Sequence, residues 1–278
     1  MAVETGIATY AATGGSYANP LHLVRPGTRW GQGAPSQSRE ALSGAVKVGG
    51  AIVEVARVQL FPVDANCLID KVLRATLGAL PPDAILELGN STKSIKDTGW
   101  KCNACEIEVE ANGALQLTYE FVNPTKPTYS TGGSPGTLVK TTFEWWRGSV
   151  TTGGANKKAR RIRFRIGNNI QAAHDLGSKA SNKRYPTSLA VGAMTVEAEV
   201  EYMDDPGHDT SADELPTSTI VLTAVNNAGT PKTITATATS MKVPQWYFEP
   251  GGASQFNRYT VPYEQDDNDL TGFTLAIA

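Results

Sequence analysis

Cysteine and histidine are scarce in this chain. Three cysteines (Cys67, Cys102, Cys105) and three histidines (His22, His174, His208) are spread over 278 residues. So small and odd a cysteine count argues against a disulfide framework. Cys102 and Cys105 form a C-x-x-C, but no second such pair accompanies it and the histidines lack ligand spacing, which argues against a zinc or redox centre. Three residues apart on a strand, the two cysteines are expected on opposite faces. Charge is sparse too. Charged residues make up 19% of the chain with a net charge of -2, which gives no compositional sign of a nucleic-acid-binding surface. No apolar run is long enough to span a membrane. The opening MAVETGIATYAATGGSY lacks the basic and apolar regions of a signal peptide. G-x-S-x-G, P-loop, G-x-G-x-x-G and H-E-x-x-H motifs are missing, so no catalytic residue, metal ligand or cofactor is assigned. Asp204, Asp205, Asp209, Asp213 and Glu214 form an acidic loop without EF-hand spacing, which reads as a solvated turn.

What is plentiful points to strands. Glycine reaches 27 residues, and with many threonines and valines it favours strands and turns over long helices. Residues 1–45, rich in Gly, Pro and Ser, read as an extended N-terminal arm that orders against a neighbour, and residues 46–278 as a single β domain. Residues 46–61 alternate as a strand centred on Ile52, Val53 and Val55. Residues 64–78 carry the chain's best helical pattern. Asp64 is its candidate N-cap, Leu68, Val72 and Leu73 fall near helical spacing, and Gly78 followed by Pro81-Pro82 stops it. Residues 122–160 read as a long loop or insertion, in which Trp145-Trp146 fits a buried pair at an interface or under a loop. Residues 218–240 give two strands around a turn, and 258–265 and 271–278 give two more.

The most informative stretch is ACEIEVEANGALQLTYEF, residues 104–121. Glu106, Glu108 and Glu110 line one strand face, and Cys105, Ile107 and Val109 the other. A two-residue Asn-Gly loop would mix polar and apolar residues on each face. A three-residue loop, Ala111-Asn112-Gly113, sets Val109 opposite Leu115, Ile107 opposite Leu117 and Cys105 opposite Tyr119. It also sets Glu110, Glu108 and Glu106 opposite Ala114, Gln116 and Thr118. The expectation is a type I turn with Gly113 left-handed in a G1 bulge.

Residues 192–205 repeat the pattern, with Met194, Val196, Ala198, Val200 and Tyr202 against Thr195, Glu197, Glu199 and Glu201. Residues 158–166 invert the charge: Ile162, Phe164 and Ile166 share one face, Arg161, Arg163 and Arg165 the other. A basic strand face suits nucleic acid, or acidic residues of a neighbouring chain. Glutamates two apart on one strand repel each other and offer no distinct acid and base, which disfavours glycoside hydrolysis.

In order and pattern, LIDKVLRATLG, GWKCNACEIEVEANGALQLTYEFV, AMTVEAEVEYMDD and RYTVPYEQDDNDLTGFTLAIA resemble the tail tube (major tail) proteins of long-tailed bacteriophages. The resemblance covers most of the chain after the N-terminal arm; residues 122–160 are longer than in a lean tube protein. It implies a mainly β, tail-tube-type sandwich or barrel with one flanking α-helix and long loops. It implies homohexameric rings that stack into a hollow tube, each subunit adding strands to a continuous inner β-barrel. Glu106, Glu108, Glu110, Glu197, Glu199 and Glu201 would then face the lumen and repel DNA in transit. Arg161, Arg163, Arg165, Trp145 and Trp146 become inter-subunit candidates. The implied partners are further copies, a tape measure protein inside the tube, and tail terminator and baseplate or tip proteins. The implied location is the virion tail, after assembly in the host cytoplasm, without membrane insertion or enzymatic activity. Three competing readings are a carbohydrate-binding or adhesin-type β-sandwich using Trp145, Trp146 and Trp246, a non-stacking tail ring such as a terminator or baseplate component, and a β-rich hydrolase, which lacks any recognisable nucleophile or base set.

Overall fold

The computed structural model describes residues 10–12, 23–24, 29–33, 37–41, 44–48, 53–62, 67–89, 94–125, 130–131, 141–173, 186, 188–203, 218–244, 247–249, 258–265 and 272–278. The N-terminal segment supplies β1 (Tyr10–Ala12), β2 (Leu23–Val24), β3 (Arg29–Gly33), β4 (Gln37–Ala41) and β5 (Gly44–Val48). Then come β6 (Val53–Phe61), the 3-10 turn η1 (Ile69–Lys71), β7 (Ala84–Gly89), β8 (Ser94–Glu110), β9 (Gln116–Asn123) and β10 (Ser130–Thr131). A second 3-10 turn, η2 (Trp145–Arg147), leads into β11 (Ser149–Thr152), β12 (Ala155–Asn156), β13 (Ala159–Gly167), β14 (Ile170–Ala173), β15 (Ser188–Val191) and β16 (Thr195–Tyr202). The chain closes with β17 (Ser218–Val225), β18 (Thr233–Lys242), β19 (Tyr247–Glu249), β20 (Arg258–Gln265) and β21 (Phe273–Ile277).

Seventeen of these strands form one antiparallel sheet that is not closed into a barrel. Its main run is β3-β6-β9-β8-β13-β16-β20. A second run, β12-β11-β17-β18-β21, joins it where β18 meets β20 at Met241 and Lys242. The period-2 alternation read in the sequence decides what is buried. Ile162, Phe164 and Ile166 of β13, Val196, Ala198 and Val200 of β16, and Leu117, Tyr119 and Phe121 of β9 are all buried. So are Ile220, Leu222 and Ala224 of β17 and Ile234, Ala236 and Ala238 of β18. The apolar faces of the two runs meet: the Phe164 ring lies 5.8 Å from that of Phe273 on β21. Thr152 of β11 shares a buried hydrogen bond with the Tyr202 hydroxyl at 2.8 Å, and Tyr202 another with Tyr263 at 2.7 Å.

The hairpin register is as the face argument requires. Cys105 pairs Tyr119, Ile107 pairs Leu117, Glu106 pairs Thr118 and Glu108 pairs Gln116. The turn differs in two respects: it closes from Glu110 to Gly113, so the positive φ of Asn112 at its third position excludes type I. Asn112, not Gly113, takes the left-handed backbone, at φ 69. Asn tolerates that region through its short polar side chain. Gly113 serves close approach instead: its N–H donates to the Glu110 carbonyl at 2.9 Å, and a Cβ there would sit 3.2 Å from that oxygen.

Two other expectations are corrected. The flanking α-helix over 64–78 does not form: residues 63–66 lie outside the described residues, and 67–78 hold only the turn Ile69–Lys71. Leu68 is left-handed at φ 66, which breaks helical continuation. The apolar spacing feeds an irregular plug in which Cys67, Leu68, Ile69 and Val72 are buried and the Tyr119 hydroxyl donates to the Cys67 carbonyl at 2.5 Å. Gly78 does take the left-handed backbone of a stop, at φ 77. Cys102 and Cys105 do not face opposite ways. A bulge between Cys102 and Ala104 adds one residue, so both thiols are buried. Within the arm, Arg29–Gly33 is a strand on the edge of β6. Within 122–160, β11 and β12 form a hairpin around Gly153 and Gly154, both at positive φ.

Candidate functional site

The three charged strand faces are one surface. β13 lies between β8 and β16, antiparallel to both. Arg161 stands opposite Glu110 and Glu201, Arg163 opposite Glu108 and Glu199, and Arg165 opposite Glu106 and Glu197. The arginine row thus separates two glutamate rows that would repel as neighbours. All six glutamates named from the sequence lie here, and so do all three arginines. The same face continues onto β9 and β6, where Glu120 stands opposite Arg57.

The contacts run both straight across and diagonally. Arg161 Nε donates to Glu108 Oε1 at 2.6 Å, and its Nη1 lies 3.5 Å from Glu199. Arg163 Nε is 3.7 Å from Glu106. Arg165 bridges the rows, 3.4 Å from Glu106 and 3.6 Å from Glu197. Two further arginines escaped the sequence reading. Arg160, at the irregularity between Ala159 and Arg161, lies 4.0 Å from Glu110 and 3.6 Å from Glu201. Arg258 of β20 is also 3.6 Å from Glu201. The signal for Arg160 was its place in KARRIRFRI, but the alternation rule assigned it to the wrong face. Arg258 had no sequence signal, because its partner lies across a strand pairing that only the fold defines.

Burial draws the Arg161 pKa down, but the hydrogen bond to Glu108 and the charges of Glu108, Glu199 and Glu110 outweigh it, so the net shift is upward. Most of these side chains are half-exposed, so each pair contributes roughly 0.2–1 kcal/mol. The surface is not simply acidic. Six carboxylates face five guanidinium groups, leaving a balance of one negative charge. The arginines expected at a subunit boundary are paired within their own chain.

Trp145 and Trp146 lie at the Glu110 end of this ladder, on η2. They are 42% and 57% exposed, so no loop of the described chain buries them. The Arg147 guanidinium sits 4.7 Å from the Trp146 ring centroid and donates to the Asn226 carbonyl at 3.0 Å. Both indoles line a cleft of about 200 Å³ with Val109, Val150, Lys157 and Arg160. Trp246 and the acidic loop 204–214 lie outside the described residues, as do the three histidines.

At the opposite end, Asn168 ties the irregular plug to the sheet. Its Nδ2 donates to the carbonyls of Val72 at 2.8 Å and Cys102 at 2.9 Å. Its Oδ1 accepts from Arg74 Nε at 3.0 Å, and Arg74 Nη1 donates to the Gly192 carbonyl at 2.9 Å. Among the described residues, no group of three or more His, Cys, Asp or Glu could hold a metal ion. No helix among them is long and apolar enough to cross a membrane. No protein-family model matches the chain, and no curated protein sequence matches it.

Proposed function

We propose that this chain is a structural subunit that assembles with copies of itself into hexameric rings and a stacked, hollow tail tube of a long-tailed bacteriophage. The observation that carries the reading is the Glu–Arg–Glu ladder on the solvent face of β8, β13 and β16. A broad, ordered face of paired charges on a large antiparallel sheet suits the wall of an aqueous bore. The bare electrostatic repulsion expected from glutamates alone is reduced by the arginines among them. Non-adhesion to DNA then has a different physical origin. Each guanidinium is already occupied by carboxylates, and a phosphate would have to displace one of them to bind. Such a surface is close to neutral and offers passing DNA little net attraction. Copies of the chain, a tape measure protein, and terminator and tip proteins are the partners on this reading, and the virion tail is its place.

Electron microscopy of the purified protein at rising concentration tests this. Rings or hollow tubes are expected, with the ladder lining the bore in a reconstruction. DNA retention at physiological salt should be negligible. A ladder on the outer wall of the assembly would overturn the assignment. The exposed Trp145 and Trp146 favour a second reading, a glycan-binding β-sandwich. A monomer that binds glycan, and loses it with both indoles replaced by alanine, would replace the tube reading with that one.

A further inference from the structure

Charge along the ladder is uneven. At the Glu110–Arg161–Glu201 end, Arg147, Lys157, Lys158, Arg160 and Arg258 stand near Glu110, Glu144 and Glu201. With Glu249, which stands opposite Arg258, five positive groups meet four negative, a surplus of one positive charge among the described residues. At the far end, where Arg74 is buried, the ladder face carries Glu106, Glu197 and Glu264 with Arg165 and Lys242, a surplus of one negative charge on that face among the described residues. Register explains that end: Glu197 lies directly opposite Glu264, a like-charge pair that destabilises the isolated sheet. Arg161, Arg163, Glu108 and Glu199 cancel in the middle. The slab is therefore polar along its strands.

Its two ends also differ in shape. The positive end carries the cleft and the two exposed indoles, which are the kind of side chain that anchors an interface. The negative end presents the exposed carboxylates of Glu197 and Glu264. Complementary surfaces at opposite ends of one body produce a heterologous contact, which propagates into rings or filaments. A two-fold contact would set like ends together.

We propose that copies of this chain associate head to tail along the strand direction of the ladder, the Trp145–Trp146 cleft of one copy receiving the Glu197–Glu264 end of the next. This rests on the self-assembling reading above and names its contact. The indoles supply the buried apolar area, and the charges set polarity and discriminate against the reversed docking.

A charge swap tests it. One variant carries Lys157→Glu and Lys158→Glu, the other Glu197→Lys and Glu264→Lys. Sedimentation velocity is run on the wild type, on each variant and on their equimolar mixture. The wild type should associate, and roughly tenfold or more weakly in 0.5 M than in 0.05 M NaCl, because exposed charges are screened. Each variant alone should stay monomeric, since both of its ends then bear the same sign. The mixture should regain association, because each head again meets an opposite tail. Trp145→Ala with Trp146→Ala should weaken wild-type association at least tenfold. Circular dichroism checks folding; should one swap variant unfold, the tryptophan variant and the wild-type salt dependence carry the test. Rings or tubes that form equally well in every variant would overturn this contact and leave the tube reading standing. A wild type that stays monomeric at every concentration, with or without glycan bound, would remove both.

Discussion

Arg163 is the rung on which the charge argument can be tested most directly. Glu108 and Glu199 lie directly opposite it, and its Nε is 3.7 Å from Glu106. Arg163→Glu would place a carboxylate between two carboxylates. Charges on neighbouring strands are about 5.5 Å apart, where like charges repel by about 0.75 kcal/mol in water and by more at a half-buried surface. Two such contacts, screened at 0.1 M ionic strength where the Debye length is about 10 Å, cost roughly 1–2 kcal/mol. Loss of the Glu106 pair adds about 0.5 kcal/mol. The reversal should therefore cost about 2 kcal/mol. Arg163→Gln loses the attraction without adding repulsion and should cost about 0.5 kcal/mol. Urea unfolding followed by tryptophan fluorescence reads both. In 1 M salt, where the Debye length is about 3 Å, the gap between the variants should shrink to about a third. Equal losses for the two variants, or a gap indifferent to salt, would show that the rows do not act through their charge.

Three further outcomes are expected. Phe164→Ala empties the contact with Phe273 between the two runs of the sheet and should cost about 3–5 kcal/mol by chemical denaturation. Asn168→Leu leaves the Val72 and Cys102 carbonyls and one Arg74 N–H without partners, and should cost about 3–5 kcal/mol, with hydrogen exchange rising first in the 67–78 segment. Burial pushes the thiols of Cys102 and Cys105 and the phenols of Tyr119, Tyr202 and Tyr263 above their usual values. The folded protein keeps these protons where the unfolded chain releases them, so this stability is fully present below about pH 8.5 and falls as pH rises. Each group fully engaged contributes a slope of about 1.4 kcal/mol per pH unit, readable in reduced protein from urea midpoints at pH 7.5, 8.5 and 9.5.

Where one side chain's face followed from its neighbours, the sequence was legible. Glu106 to Glu110, Arg161 to Arg165 and Glu197 to Glu201 each alternate with buried residues, and their strands form with those faces. The hairpin register followed from demanding consistent faces, a local rule over the fifteen residues from Cys105 to Tyr119. What failed was geometry that tertiary contacts decide. The 64–78 pattern has helical spacing, yet Tyr119 on β9 and Asn168 just after β13 hold the plug carbonyls from far away in sequence. The Cys102–Cys105 faces were misread because a bulge leaves no mark on alternation when Asn103 is the added residue. Asn103 is fixed by partners elsewhere: its side chain accepts from Ile170 N at 2.7 Å, and its carbonyl from Asn168 N at 2.7 Å. Strand order was the largest gap. Each row was legible, but that β13 lies between the other two was not.

That order gives the charges a role in folding as well as on the surface. Alternation forbids a one-residue slip of β13, which would turn Arg161, Arg163 and Arg165 into the core. It does not forbid a slip of two residues, which keeps every side chain on its proper face. The ladder does. In the native register three arginines meet three glutamates on each side. A two-residue slip against β16 sets Arg165 opposite Thr195 and leaves two rungs of three. It also moves Phe164 off Phe273. Each lost pair is small alone, at roughly 0.2–1 kcal/mol. Two glutamate strands flanking one arginine strand make the same error register on both sides at once, so the penalty doubles. Two acidic strands and one basic strand can satisfy this in one order only, with the basic strand in the middle.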